Sequence, residues 1–160
     1  MYLFAYGTLQ PNSGSPLFEE HDLGRFLHPV TKGHVRGDLL HIRNHKLQMD
    51  YPGLVRIGKS KSNVTGTVFE VLEPQIVFPI IDEHEGYHVG LVDKESRSRN
   101  YYERISVEIE ASPSSKKITS FVYVLNKESD YFKSDFIEEK GVVHSGDWLR
   151  HLSLMQKEKS

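Results

Sequence analysis

The chain has 160 residues, 38% apolar and 26% charged, a balance suited to one water-soluble domain built around a single core. The 20 basic side chains stand against 22 acidic ones for a net charge of −2, so no basic excess points to nucleic acid or an anionic membrane. Cysteine is absent, which excludes disulfides, thiolate catalysis, iron–sulfur clusters and Cys-ligated zinc.

Tyr2-Leu3-Phe4-Ala5 is a short apolar run closed by Gly7, the pattern of a buried strand entering a turn. Its start lacks the basic region of a signal peptide, and no apolar run approaches the roughly 20 residues that span a bilayer. The expectation is a cytosolic protein. Gln10 to Pro16, with two prolines, a glycine, an asparagine and two serines, predicts loop, and Leu17 to His21 one helical turn. Phe26 to Thr31 and His34 to Leu40 predict two strands, with a turn at Gly33 and a bulge at Gly37. Leu54 to Ile57 reads as a short strand, joined across the exposed tip Gly58 to Asn63 to a partner strand Val64 to Val71.

Glu73 to Glu85 predicts the central helix. Pro74 suits its first position, Pro79 implies a kink or a later start, and Gly86 is a natural stop. Tyr87 to Asn100 is a long polar connection of the kind that often carries function. Arg104 to Glu110 alternates, and Ile118 to Leu125 returns beside it as an antiparallel strand. Tyr131 to Lys140 is compatible with helix, and a last helix from Ser145 or Asp147 carries Trp148, Leu152 and Met155 at helical spacing. Strands in the majority with a few helices predict an α+β domain, its mostly antiparallel sheet curled into a small barrel, over residues 1–160.

For chemistry, Glu85 stands first. Asp82 and Glu85 share a helix face one turn apart, and Glu85 sits at the negative end of the helix dipole, which favours proton uptake as a general base requires. The plain alternative is a solvated acidic cluster of Asp82, Glu83 and Glu85. His84-Glu85-Gly86-Tyr87-His88 also spells the H-E-x-x-H zinc pattern, but that chemistry needs both histidines on one continuous helix face, and Gly86 interrupts it. Tyr6-Gly7-Thr8-Leu9 follows a strand, so its successive amides can cradle a carboxylate. No Walker or dinucleotide glycine pattern and no G-x-S-x-G is present, so neither a nucleotide cofactor nor a serine nucleophile is indicated.

Taken in order, these motifs resemble the gamma-glutamylcyclotransferase-like superfamily, including its avirulence-induced-gene-like and gamma-glutamylamine cyclotransferase branch. Phe4-Ala5-Tyr6-Gly7-Thr8-Leu9 is similar to its Y-G-T-L opening, Gly37-Asp38-Leu39 to G-x-L, and Tyr51-Pro52-Gly53-Leu54-Val55 to Y-P-x-L/V. Val64 to Val71 resembles V-x-G-x-V-Y-E-V, and Ile81 to Tyr87 resembles L-D-x-x-E-G-Y. Tyr102-Glu103-Arg104 matches Y-x-R, Phe121 to Val124 the late strand, and Gly146-Asp147-Trp148 the closing G-D-W.

The resemblance implies a mixed β-barrel with peripheral helices, Glu85 as the catalytic acid/base, and a Tyr6–Leu9 loop that binds a glutamyl group through its backbone. The implied reaction converts a γ-glutamyl amine or γ-glutamyl amino acid to 5-oxoproline and a free amine, with no metal and no cofactor. Tyr102 is expected to orient the substrate, Tyr51 and Trp148 to wall the pocket, and Asp82 to be structural, pairing with Arg104. Three stretches depart from the family pattern: His84, Gln10-Pro11-Asn12 and the long loop His88 to Tyr101, all on the leaving-group side. The expected partner is a small γ-glutamyl molecule, with neither nucleic acid nor membrane. Two alternatives are a non-catalytic module that captures a carboxylate metabolite and a zinc protein using His84 and His88.

Overall fold

The computed structural model describes residues 1–10 and 17–159, so the loop expected over Gln10 to Pro16 lies, apart from Gln10, outside the described residues. Its strands are β1 (Tyr2–Ala5), β2 (Leu27–Arg36), β3 (Asp38–Asn44), β4 (Met49–Val55), β5 (Asn63–Val71), β6 (Tyr102–Ser112), β7 (Lys117–Leu125) and β8 (Ile137–Val142). The helices are α1 (Leu17–Glu20), α2 (Pro74–Glu85), α3 (Lys94–Arg97) and α4 (Trp148–Lys159). Five strands close a barrel in the order β1-β5-β2-β6-β7, and β4-β3-β8 form a second, three-stranded sheet. The α+β class and the barrel are as expected. No helix among the described residues is long and apolar enough to cross a membrane.

Four local expectations are corrected. Gly33 is not a turn: β2 runs through it, and a Cβ there would lie 2.8 Å from Ile109 Cγ2 and 3.0 Å from the Glu110 carbonyl, so glycine lets β2 and β6 approach. The break falls at Gly37 instead, between β2 and β3. β4 does not pair with β5 across the tip. It pairs with β3 from Asp38↔Val55 to Asn44↔Met49, while β5 is taken by β1 and β2. The positive φ values of Arg56 and Gly58 turn the chain out of β4 and away from a hairpin.

Tyr131 to Lys140 is not helical, because Ile137 to Val142 pairs as β8 with β3 and the Phe136 carbonyl accepts from the His45 amide. Pro79 does not start α2, which begins at Pro74 and continues through it. Pro79 is exposed, so the Gln75 carbonyl it leaves unpaired can be hydrated.

Two apolar clusters fill the molecule. One joins Leu3, Ala5, Phe69, Val77, Phe78 and Ile81, so α2 buries one face against the barrel. The other holds Phe4, Tyr6, Leu54, Val64, Val68 and Trp148, and so seats the start of α4. At that start Asp147 caps the helix, its carboxylate accepting from the Arg150 amide at 3.1 Å.

Candidate active site

Helix α2 ends at Gly86, which takes a left-handed conformation (φ 67°, ψ 37°), and the Tyr87 amide donates back to the Asp82 carbonyl at 2.9 Å. Only glycine adopts this φ without cost, so the chain reverses directly after Glu85. The reversal carries His88 off the helix, where its amide donates to Asn100 Oδ1 at 2.8 Å, so His84 and His88 share no helix face.

One turn before Glu85, Asp82 is buried and accepts from the Tyr123 hydroxyl at 2.6 Å, with Arg104 Nε 3.4 Å away. The Arg104 guanidinium lies 4.3 Å from the centre of the Phe78 ring and 5.3 Å from that of Phe121. Burial raises the Asp82 pKa, against the pull of Tyr123 and Arg104. Asp82 therefore fastens α2 to β6 and β7, and this fixes where the next carboxylate on that face points.

That carboxylate is Glu85, on the wall of a cavity of about 480 Å³. Residues Tyr6, Gly7, Thr8 and Leu9 form part of the same wall, as do Tyr51 and Tyr102. Glu85 is half-buried, and its carboxylate has no hydrogen bond or ion pair among the described residues. Burial pushes its pKa up to about 7. Its charge is felt by Tyr6, Tyr101, Tyr102 and Tyr123, whose hydroxyls burial first of all raises above their ordinary range. A lone desolvated acid ringed by phenols is suited to exchanging a proton near neutral pH.

The first turn lines the same cavity. The Gln10 amide donates to the Gly7 carbonyl at 3.1 Å, and the Gln10 side chain donates to the Tyr6 carbonyl at 2.8 Å. None of Tyr6 to Gln10 has a positive φ, so Gly7 is needed for space rather than for backbone freedom. A Cβ on Gly7 would lie 2.6 Å from Pro52 Cγ, and the missing side chain lets the Tyr6–Leu9 turn sit directly on the Tyr51–Pro52–Gly53 stretch of β4.

Other residues reach the site differently than the sequence suggested. The Tyr6 hydroxyl points away into the core, donating to the Tyr123 carbonyl at 2.6 Å and accepting from the Leu54 amide at 3.1 Å. The Tyr102 hydroxyl donates to the Pro52 carbonyl at 2.7 Å. Trp148 is corrected outright: it is wholly buried in the second cluster, edge-on to His41 at 5.4 Å, and does not line the cavity. Its indole NH finds no partner among the described residues. Sequence reasoning missed Tyr101, Tyr131 and Asn44. Tyr101 shares a hydrogen bond with Tyr51, and its ring lies 4.5 Å from that of Tyr131 at a tilt of 45°; the Tyr131 hydroxyl accepts from Asn44 at 2.8 Å. The doublet Tyr101-Tyr102 was the available signal: the two rings stack at 5.0 Å and both line the cavity.

A family model described as gamma-glutamyl cyclotransferase, AIG2-like, matches residues 3–150, and the chain belongs to that family. Solved structures share the fold. YkqA from Bacillus subtilis is 17% identical with a TM-score of 0.61, covering 98% of this chain, which spans only 42% of that protein's length. An AIG2-like protein from Mus musculus is 19% identical with a TM-score of 0.54, over 81% of this chain and 80% of its own. A gamma-glutamyl cyclotransferase is 14% identical with a TM-score of 0.55, over 88% of this chain and 69% of its own. A search of the curated proteins gave no match.

Proposed function

We propose that the chain is a cofactor-independent gamma-glutamyl cyclotransferase, closing the γ-glutamyl group of a small amide into 5-oxoproline and releasing the amine. The observation that carries this reading is that Glu85, a carboxylate with no partner among the described residues and a pKa pushed up to about 7, lines one cavity with the Tyr6–Leu9 turn. The substrate's α-carboxylate sits on the amides of that turn, where oriented N–H dipoles stabilise an anion. Glu85 takes a proton from the α-ammonium, an acid of pKa near 8 in water. An ordinary carboxylate is about four units too weak for that transfer, and one raised to about 7 is nearly matched.

The freed amine attacks its own γ-carbonyl carbon, forming the ring C–N bond. Glu85 then returns that proton to the departing nitrogen as the original amide C–N bond breaks, and the second proton, lost by the attacking nitrogen as the ring amide forms, leaves on the released amine, which departs as an ammonium. Atoms balance without redox change. Because both reacting groups belong to one molecule, holding the glutamyl chain curled supplies much of the acceleration.

The test is release of 5-oxoproline by purified protein from a panel of γ-glutamyl amides, with Glu85→Gln lowering the rate on the order of 100-fold or more while the fold is retained. Full activity in that variant removes Glu85 from the chemistry. Tight binding of glutamate or 5-oxoproline without turnover of any amide makes the protein a binding module instead.

A further inference from the structure

Beyond Glu85 and the first turn, the cavity wall is built by the tip of the β3–β4 hairpin and by Tyr101 and Tyr131. Hairpin tips in water are ordinarily polar, yet Leu47 and Met49 line this mouth while 58% and 53% exposed. Each hydroxyl nearby already has a partner: Tyr102 donates to the Pro52 carbonyl, Tyr51 and Tyr101 bond to each other, and Tyr131 accepts from Asn44 while keeping its own O–H. What the wall offers a ligand is therefore mostly ring face and aliphatic surface, with the Tyr131 hydroxyl and one of the Tyr51–Tyr101 pair as its remaining phenolic donors.

One cation is added to this surface. Arg99 is the sole lysine or arginine on the cavity wall among the described residues, and no hydrogen bond or ion pair engages its guanidinium. Its planar fork is matched to a carboxylate. The opposite charges on the wall, Glu83 and Glu85, both belong to the last turn of α2. They come from one helix end and Arg99 from the stretch between α3 and β6, so a departing group that carries a carboxylate has a cationic partner on the wall.

Resting on the cyclotransferase reading, we infer that this half of the cavity is a leaving-group subsite for an apolar or aromatic α-amino acid. Its side chain lies against Leu47, Met49, Tyr101 and Tyr131, and its α-carboxylate on Arg99. The preferred substrate class is then a γ-glutamyl dipeptide of such a residue, cleaved at the γ-amide so that the proton from the glutamyl ammonium ends on the departing amino acid's nitrogen.

Four compounds separate the contributions: γ-glutamyl-phenylalanine, γ-glutamyl-alanine, γ-glutamyl-phenethylamine and γ-glutamyl-putrescine. The phenylalanine compound should exceed the alanine compound in kcat/KM by about 10- to 100-fold, the range set by burying one aromatic side chain. Putrescine, cationic at its far end, should be poorest. Arg99→Gln should reduce the ratio of phenylalanine to phenethylamine turnover about tenfold. Leu47→Ser combined with Met49→Ser should compress the ratio of phenylalanine to alanine turnover. Equal or better turnover of the alanine or putrescine compound, or an Arg99→Gln variant whose ratio is unmoved, overturns the subsite. If none of the four yields 5-oxoproline, the cyclotransferase reading fails, and calorimetric binding of the same compounds decides: phenylalanine bound well above alanine keeps the subsite, and equal or no binding removes it.

Discussion

The Tyr123 hydroxyl donates to the Asp82 carboxylate at 2.6 Å, a contact that spans from the barrel strand β7 to the helix that presents Glu85. The same carboxylate lies 3.4 Å from Arg104 of β6. Removing its charge by Asp82→Asn strands a largely buried guanidinium and should cost about 1–3 kcal/mol in denaturant unfolding. Tyr123→Phe removes one hydrogen bond and should cost about 1 kcal/mol. Both variants should lower kcat with the pH midpoint kept, because Glu85 is displaced rather than retuned. A shifted midpoint with unchanged stability would contradict the anchoring role.

Glu85 has a raised pKa, and the sign of its effect on stability follows. A carboxyl that titrates at about 7 in the folded chain and near 4.5 when unfolded is harmless below pH 4.5. Between those values the unfolded chain gives up its proton first, so stability falls as pH rises and reaches its floor above about 7. Glu85→Gln should therefore be more stable than the parent at pH 8, by at most about 3 kcal/mol. The gain should shrink steadily as urea unfolding is repeated at pH 7, 6 and 5. For catalysis the rate should rise with pH through about 7 as Glu85 becomes a base.

Gly7→Ala introduces a methyl 2.6 Å from Pro52 Cγ and 3.3 Å from its Cδ. Both partners are backbone-constrained, so the turn and β4 must separate, at a cost of about 1–3 kcal/mol by thermal or denaturant unfolding. Because that seam holds the first turn against the cavity, KM for a γ-glutamyl substrate should rise as well. Gly24→Ala, where nothing lies within 4 Å of the added methyl, is the control and should leave both quantities unmoved.

Away from the cavity, His151 donates to or accepts from His41 at 3.0 Å, and His41 in turn contacts Asp50 at 2.7 Å. Burial holds the His151 pKa below its ordinary value, and the neighbouring His41 adds to this while Asp50 and Glu158 oppose it. A histidine that folds into a site disfavouring its charge contributes stability above pH 6.5, and that stability is lost as pH falls toward its lowered pKa. His151→Gln should flatten the loss of thermal stability between pH 7 and pH 5. An unchanged pH slope would show that α4 is not gated by this pair.

The sequence carried the strands best where burial and alternation coincide, as in β1, β5, β6 and β7. It carried partner choice worst. Leu54 to Ile57 and Val64 to Val71 look like a hairpin because a polar tip joins them, but pairing is decided by which faces are buried, and Leu54 belongs to the β3–β4 pair. Tyr131 to Lys140 has helix-compatible spacing, and a tertiary ladder with β3 overrode it. In the site, Glu85 and the first turn were legible because a glycine stop and a glycine turn mark chain reversals. Trp148 was misplaced because a motif gives order along the chain and not the side of the barrel on which a residue lands. Tyr101 went unnoticed because it lies just before β6, where no alternation marks which way a side chain points.

The two sheets divide the cavity between them. Glu85 and the first turn rest on the closed barrel and its helix, whereas Met49 and Tyr51 belong to the open three-stranded sheet and Leu47 to the turn between β3 and β4. Scope and chemistry are thereby inherited separately: substitutions at the hairpin tip can redraw which molecules are accepted while the reactive half keeps its shape. A library randomised at positions 47 and 49 alone is accordingly the shortest route from this scaffold to new selectivities.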